Sequence, residues 1–141
     1  MVGEGAAIAE ALSVQDERAI EALLIRYATA ADVRDAAMLA SCFTADAKAE
    51  YGEPIGSFDS RAELVGGLMA MLANCGETLH YISNVVIEPT KSGAATHCYT
   101  HAIVHVPGMD QPMRTAGTYA DQLICGDGGW RIAQRVYRGV A

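Results

Sequence analysis

Two residues in this chain are of the types that move protons, and the pattern puts each at the edge of a regular element. Asp32 follows the last apolar position of a helical stripe, and His80 stands near the start of a segment rich in strand formers. A carboxylate that accepts a hydrogen bond from one imidazole nitrogen fixes the tautomer and leaves the other nitrogen free to take or deliver a proton. The same contact stabilises the imidazolium that forms. The plainer alternative is a surface aspartate beyond a helix end and a histidine that caps a strand. Tyr27 and Tyr51 can orient a substrate oxygen through their hydroxyls, or serve as aromatic core with a polar tip. Asn84 can donate to a carbonyl or satisfy a bulge.

His97, Tyr99, His101, Ile103 and His105 alternate, so a regular strand shows them on one face, opposite Cys98, Thr100, Ala102, Val104 and Val106. Three histidines on a face raise the question of metal, but residues two apart on a strand stand about 7 Å apart and converge poorly on one ion. No metal is expected. The reading instead places His105 in the pocket, with His97 and His101 near a sheet end or a subunit interface. Leu68, Met69, Met71 and Leu72 read as core or pocket wall, with no cofactor implied. Gly126-Asp127-Gly128-Gly129 reads as a hairpin turn, because it lacks the strand-to-helix context of a phosphate loop.

The elements that must position these groups follow from periodicity. Ser13 is a helix cap with Asp16 three residues on, and Ile20, Leu23, Leu24, Tyr27 and Ala31 recur at threes and fours as one apolar stripe. After an interruption near Val33-Arg34, Asp35 to Phe43 repeats the pattern and predicts a second helix. Ala47–Tyr51 alternates as a short strand, followed by the turn-rich Gly52-Glu53-Pro54-Ile55-Gly56. Ser60-Arg61-Ala62-Glu63 opens a third helix with Leu64, Leu68, Met71 and Leu72 on its apolar face, and Gly76 is expected to end it. Thr78–Glu88, Ala94–Val106, Met113–Ile124 and Trp130–Tyr137 then read as four strands joined by hairpin turns. Helices first and a meander afterwards imply an α+β fold, three helices packed on a curved antiparallel sheet.

Composition narrows the rest. With 141 residues the chain has the length of one domain; residues 1–12 are expected to form a loose Gly/Ala-rich leader and 13–141 a single domain. No apolar run approaches the roughly 20 residues of a membrane helix, and the leader lacks the basic start of a signal peptide, so the cytoplasm is the expected compartment. The net charge of −7, with scattered Lys and Arg, argues against nucleic acid as a partner. Cys42, Cys75, Cys98 and Cys125 are far apart and are expected as free, buried thiols.

This order of elements resembles the SnoaL-like branch of the nuclear transport factor 2-like superfamily, and four stretches carry the likeness. They are Tyr27-Ala-Thr-Ala-Ala-Asp32, Cys42-Phe-Thr-Ala-Asp-Ala47, Thr78-Leu-His80-Tyr-Ile-Ser-Asn84 and the final Gly128-Gly-Trp130-Arg-Ile132. In motif the chain looks nearest to scytalone dehydratase and hexachlorocyclohexane dehydrochlorinase relatives, which place an Asp at the end of the first long helix and a His at the start of the first long strand. Asp32 and His80 fall there. The dehydratases' second histidine falls on His105 and their substrate-facing tyrosine on Tyr51, while Gly117 and Tyr119 stand where they carry Ser and Asn.

The resemblance implies a cone-shaped α+β barrel around an apolar pocket. It implies a cofactor-free lyase, dehydratase-like, acting on a small apolar, aromatic or polycyclic molecule. Asp32, His80, Tyr51 and His105 would be catalytic, and Tyr27, Asn84, Tyr119 and Met71 would bind substrate. An isomerase or a polyketide-cyclase-type enzyme would use the same first step, and a non-catalytic ligand-binding or assembly module would use the same scaffold. A homodimer through the open sheet face is expected, with the apolar Cys98–Val106 face as its contact.

Overall fold

A computed structural model describes residues 11–140, and the leader expected over residues 1–12 falls almost wholly outside that range. Helix α1, Val14–Val33, begins as its cap predicts: Ser13 Oγ accepts from the Asp16 amide, and the Asp16 carboxylate accepts from the Ser13 amide. Its stripe is the heart of the core, with Ile20, Leu23 and Leu24 at most 1% exposed. Each such burial removes apolar surface worth roughly 1.5–3 kcal/mol. The helix stops at Arg34, which adopts a left-handed conformation (φ 59°) and donates its backbone N–H to Ala30 and Ala31.

Helix α2 is shorter than the periodicity suggests, running only Ala36–Ala40 behind an Asp35 cap. Phe43 belongs instead to strand β1, Phe43–Glu50, because Ile132 donates its amide to Cys42 O and draws this segment into the sheet. Strand β2, Ser57–Phe58, is a two-residue addition at the edge. Helix α3, Arg61–Leu72, starts at the Ser60 cap as expected but ends four residues before Gly76. Gly76 has a different part: its amide bonds His105 O, tying the helix exit to the sheet.

Four long strands complete the chain: β3 (Thr78–Pro89), β4 (Ala94–Val104), β5 (Met113–Gly126) and β6 (Gly129–Gly139). The sheet order is β2-β1-β6-β5-β4-β3. All neighbours are antiparallel except β1 and β6, which are parallel, so the sheet is mixed rather than wholly antiparallel. A parallel pair needs a long connection, and here α3 and the whole meander lie between its two strands. The architecture is the α+β cone of the nuclear transport factor 2-like fold, three helices closing a curved sheet.

Pairing between β4 and β5 runs without a break from Ala94↔Leu123 to Val104↔Met113, so alternation along β4 is strict. Cys98, Thr100, Ala102 and Val104 are buried, while His97 and Tyr99 are exposed. The Cys98–Val106 face, expected at a subunit contact, therefore looks into the fold, and the histidine face looks outward. Cys42 and Cys98 are buried free thiols; Cys75 is half-buried and Cys125 is exposed, unlike the expectation for all four.

Candidate active site

Asp32 sits in the last turn of α1 and His80 is the third residue of β3, and α1 packs directly on β3. His80 Nδ1 lies 2.6 Å from Asp32 Oδ1, and the His80 backbone amide donates to Asp32 Oδ2 at 2.9 Å. Both side chains are less than one-fifth exposed. One carboxylate thus fixes both the ring and the strand that carries it. With the carboxylate ionised, Nδ1 holds the hydrogen and Nε2 is the nitrogen left to do chemistry.

Two residues without an expected role hold Asp32 in place. The buried Thr78 hydroxyl donates to Asp32 Oδ1 (2.9 Å) and in turn accepts from Arg34 Nη1 (2.9 Å). The Arg34 guanidinium also donates to Ala31 O and Asp32 O at the end of α1, to Leu72 O at the end of α3 and to Gly76 O in the turn beyond it. Cationic donors suit helix C-termini, where the last carbonyls lack intrahelical partners. A basic residue just past a helical stripe was the available sequence signal for Arg34; nothing in the sequence pattern marked Thr78.

His80 opens onto a cavity of about 250 Å³ between the helices and the sheet. Its walls are mainly apolar, with Leu68, Met71 and Leu72 from α3, Val104 from β4, Met113 from β5 and Ile55 from the loop before β2. Polar groups are few: Thr78, Thr100, Thr115 and the tyrosines Tyr27, Tyr51, Tyr119 and Tyr137. Tyr27 and Tyr51 share a buried hydroxyl–hydroxyl bond of 2.8 Å. Burial raises Tyr27 well above the ordinary phenol value and pushes Tyr119 up to about 12, so both stay protonated.

Of the eight residues singled out, Asp32 and His80 meet as a dyad, and Tyr27, Tyr51, Tyr119 and Met71 line the cavity beside His80. Two do not join them. His105 lies one residue beyond β4 on the outward phase of its alternation, exposed, with its ring against Gly76. Asn84 is exposed at φ 53°, where the β3–β4 register slips between Ser83 and Val86. It serves the bulge, a conformation Asn tolerates better than most residues. Tyr137, Thr100, Thr115 and Met113 are cavity residues the sequence reading did not single out. Among the described residues no cluster of three or more His, Cys, Asp or Glu could hold a metal ion.

The chain matches no curated protein. Solved structures are similar to it at the level of fold. A protein from Novosphingobium aromaticivorans DSM 12444, provisionally named a scytalone dehydratase, superposes with a TM-score of 0.82 at 23% identity, over 91% of this chain and 86% of that one. Hexachlorocyclohexane dehydrochlorinase LinA-type3 from Novosphingobium barchaimii LL02 gives a TM-score of 0.80 at 18% identity, over 91% of this chain and 88% of that one. A second Novosphingobium aromaticivorans protein, provisionally named an aromatic ring hydroxylase, gives 0.82 at 20% identity, with 93% of each chain covered. Three names for different chemistries on one scaffold agree with the rule that fold does not fix reaction. The family model described as "SnoaL-like domain" matches residues 12–136, and the chain belongs to that family.

Proposed function

We propose that this protein is a cofactor-independent lyase of dehydratase type, in which His80 is the base and Asp32 its orienting partner. The observation that carries the reading is the 2.6 Å contact between Asp32 and His80 Nδ1 at the wall of an apolar cavity. A cavity near 250 Å³ lies below the roughly 300–1,000 Å³ of pockets for drug-sized ligands and suits a compact one- or two-ring molecule. Imidazole removes the proton on the carbon next to a carbonyl. The electron pair passes to the carbonyl oxygen, where the Tyr51 hydroxyl donates to the enolate. When the enolate collapses, the bond to a hydroxyl on the next carbon breaks, a C=C bond forms, and the imidazolium proton leaves with the hydroxyl as water. Isomerisation and aldol-type cyclisation share the first step.

The test is deuterium wash-in. In D₂O the protein is expected to speed exchange at the α-carbon of a small bicyclic aryl ketone such as 1-tetralone, followed by NMR. Exchange no faster than in buffer, across a panel of cyclic ketones, would sink the proposal and leave a binding module as the better account.

Cytoplasmic location and a homodimer are parts of the same proposal, and no helix among the described residues is long and apolar enough to cross a membrane. The dimer contact moves to the outer face of β3 and β4, where Leu79, Tyr81, Val86 and Tyr99 are each about half exposed. Apolar side chains grouped in this way mark interaction surfaces. A Tyr81→Glu/Tyr99→Glu variant is expected to halve the mass seen by light scattering while leaving the circular dichroism spectrum unchanged. A wild-type protein that is monomeric at all concentrations would remove the dimer.

A further inference from the structure

Arg135 of β6 has a completely buried guanidinium directly behind the tyrosine wall of the cavity. Nε and Nη2 make a two-pronged ion pair with Asp121, each at 2.8 Å, and both side chains are 0% exposed. The third nitrogen, Nη1, has no hydrogen-bond partner among the described residues. A buried donor left unpaired needs an explanation, and the rings supply one. The guanidinium carbon stands 3.7 Å from the ring centroid of Tyr119 and 4.2 Å from that of Tyr27, both within cation–π range.

Tyr27 is also the hydroxyl partner of Tyr51. Two phenols that share one hydrogen bond use one of their two O–H hydrogens, and the other is left for a ligand oxygen. Both tyrosines line the cavity. The charge behind them opposes the burial that raises Tyr27 and Tyr119. When the free phenol hydrogen is given to an oxygen that carries negative charge, part of that charge moves onto the tyrosines. A cation against their faces stabilises it.

We infer that Arg135 is a positioning residue that, through its stack on Tyr27 and Tyr119, makes the Tyr27–Tyr51 hydroxyl pair an oxyanion site, and that the cavity takes phenols and enolisable ketones as their oxyanions. This rests on the proposed proton-abstraction chemistry, because an enolate is the anion such a site serves. It adds the group that sets the preference for charge.

The test uses 4-nitrophenol, whose neutral and ionised forms absorb at different wavelengths, and nitrobenzene, which has the same ring and no proton to lose. The wild-type protein is expected to bind 4-nitrophenol as phenolate at a pH where the free compound is mostly neutral. It does so equally in His80→Gln, which removes the imidazole as an alternative proton acceptor. In the double variant Arg135→Met/Asp121→Leu the phenolate-to-phenol ratio in the bound state is expected to fall about tenfold, with nitrobenzene affinity unchanged. Asp121→Asn keeps the cation and removes its counter-charge, so its ratio rises; it provides an independent test should the double variant not fold.

Binding of neutral phenol alone, an unchanged ratio in both Arg135 and Asp121 variants, or parallel loss of nitrobenzene binding would overturn the inference. Phenolate that disappears only in His80→Gln would also overturn it, while leaving His80 standing as the base.

Discussion

His80→Ala is expected to lower α-proton exchange by roughly a hundred- to ten-thousand-fold, the range that a positioned general base contributes. Asp32→Asn is expected to fall nearly as far, for a different reason. An amide at position 32 can present its NH₂ to Nδ1, which selects the tautomer with hydrogen on Nε2 and so hides the lone pair that must take the proton. The carboxylate also accepts from the Thr78 hydroxyl and the His80 amide, and an asparagine serves only part of that set. The two losses are not additive, since each substitution disables the same unit. The measurement is the NMR exchange rate per mole of folded protein, with nitrobenzene affinity as the control for an intact cavity. A loss of less than tenfold in both variants would remove the dyad from the mechanism.

The second large effect is on stability. Arg135→Met is expected to cost about 3–5 kcal/mol, because it leaves the Asp121 carboxylate buried with no partner. The lost stacking on Tyr27 and Tyr119 adds to this. Burial by itself lowers the Arg135 pKa, but the facing carboxylate more than offsets this and holds the group charged. Replacing both partners with apolar residues, as in Arg135→Met/Asp121→Leu, removes the uncompensated charge and is expected to recover most of the loss. Urea midpoints of the single and double variants decide the matter. A single variant as stable as the double would mean that water or another group reaches Asp121.

The dyad was legible because it uses two strong sequence signals, the end of an amphipathic stripe and the start of a β-rich segment, and because both belong to motifs that resemble a family. The tyrosine wall was partly legible for the same reason. His105 shows where such reading stops. Alternation correctly grouped residues 97, 99, 101 and 103 of β4 with His105 just past its end, but period two does not say which group faces inward. Here the small and apolar set, Cys98, Thr100, Ala102 and Val104, won the interior. The parallel β1–β6 pair and the short α2 were hidden because long-range pairing decides both. Arg135 and Asp121 gave no sign at all: a charged pair fourteen residues apart on neighbouring strands looks like two surface residues until the register is known.

The Arg34 clamp ties the cavity wall to the seat of Asp32. Leu68, Met71 and Leu72, which wall the cavity, sit on the helix whose last carbonyl, Leu72 O, shares a guanidinium with the Thr78–Asp32 bond. An oversized occupant that wedges α3 outward tugs on that guanidinium and slackens the seat of the carboxylate. Under the proposed chemistry the fold would therefore reject a misfit twice, once by crowding and once by detuning the very group that attacks it.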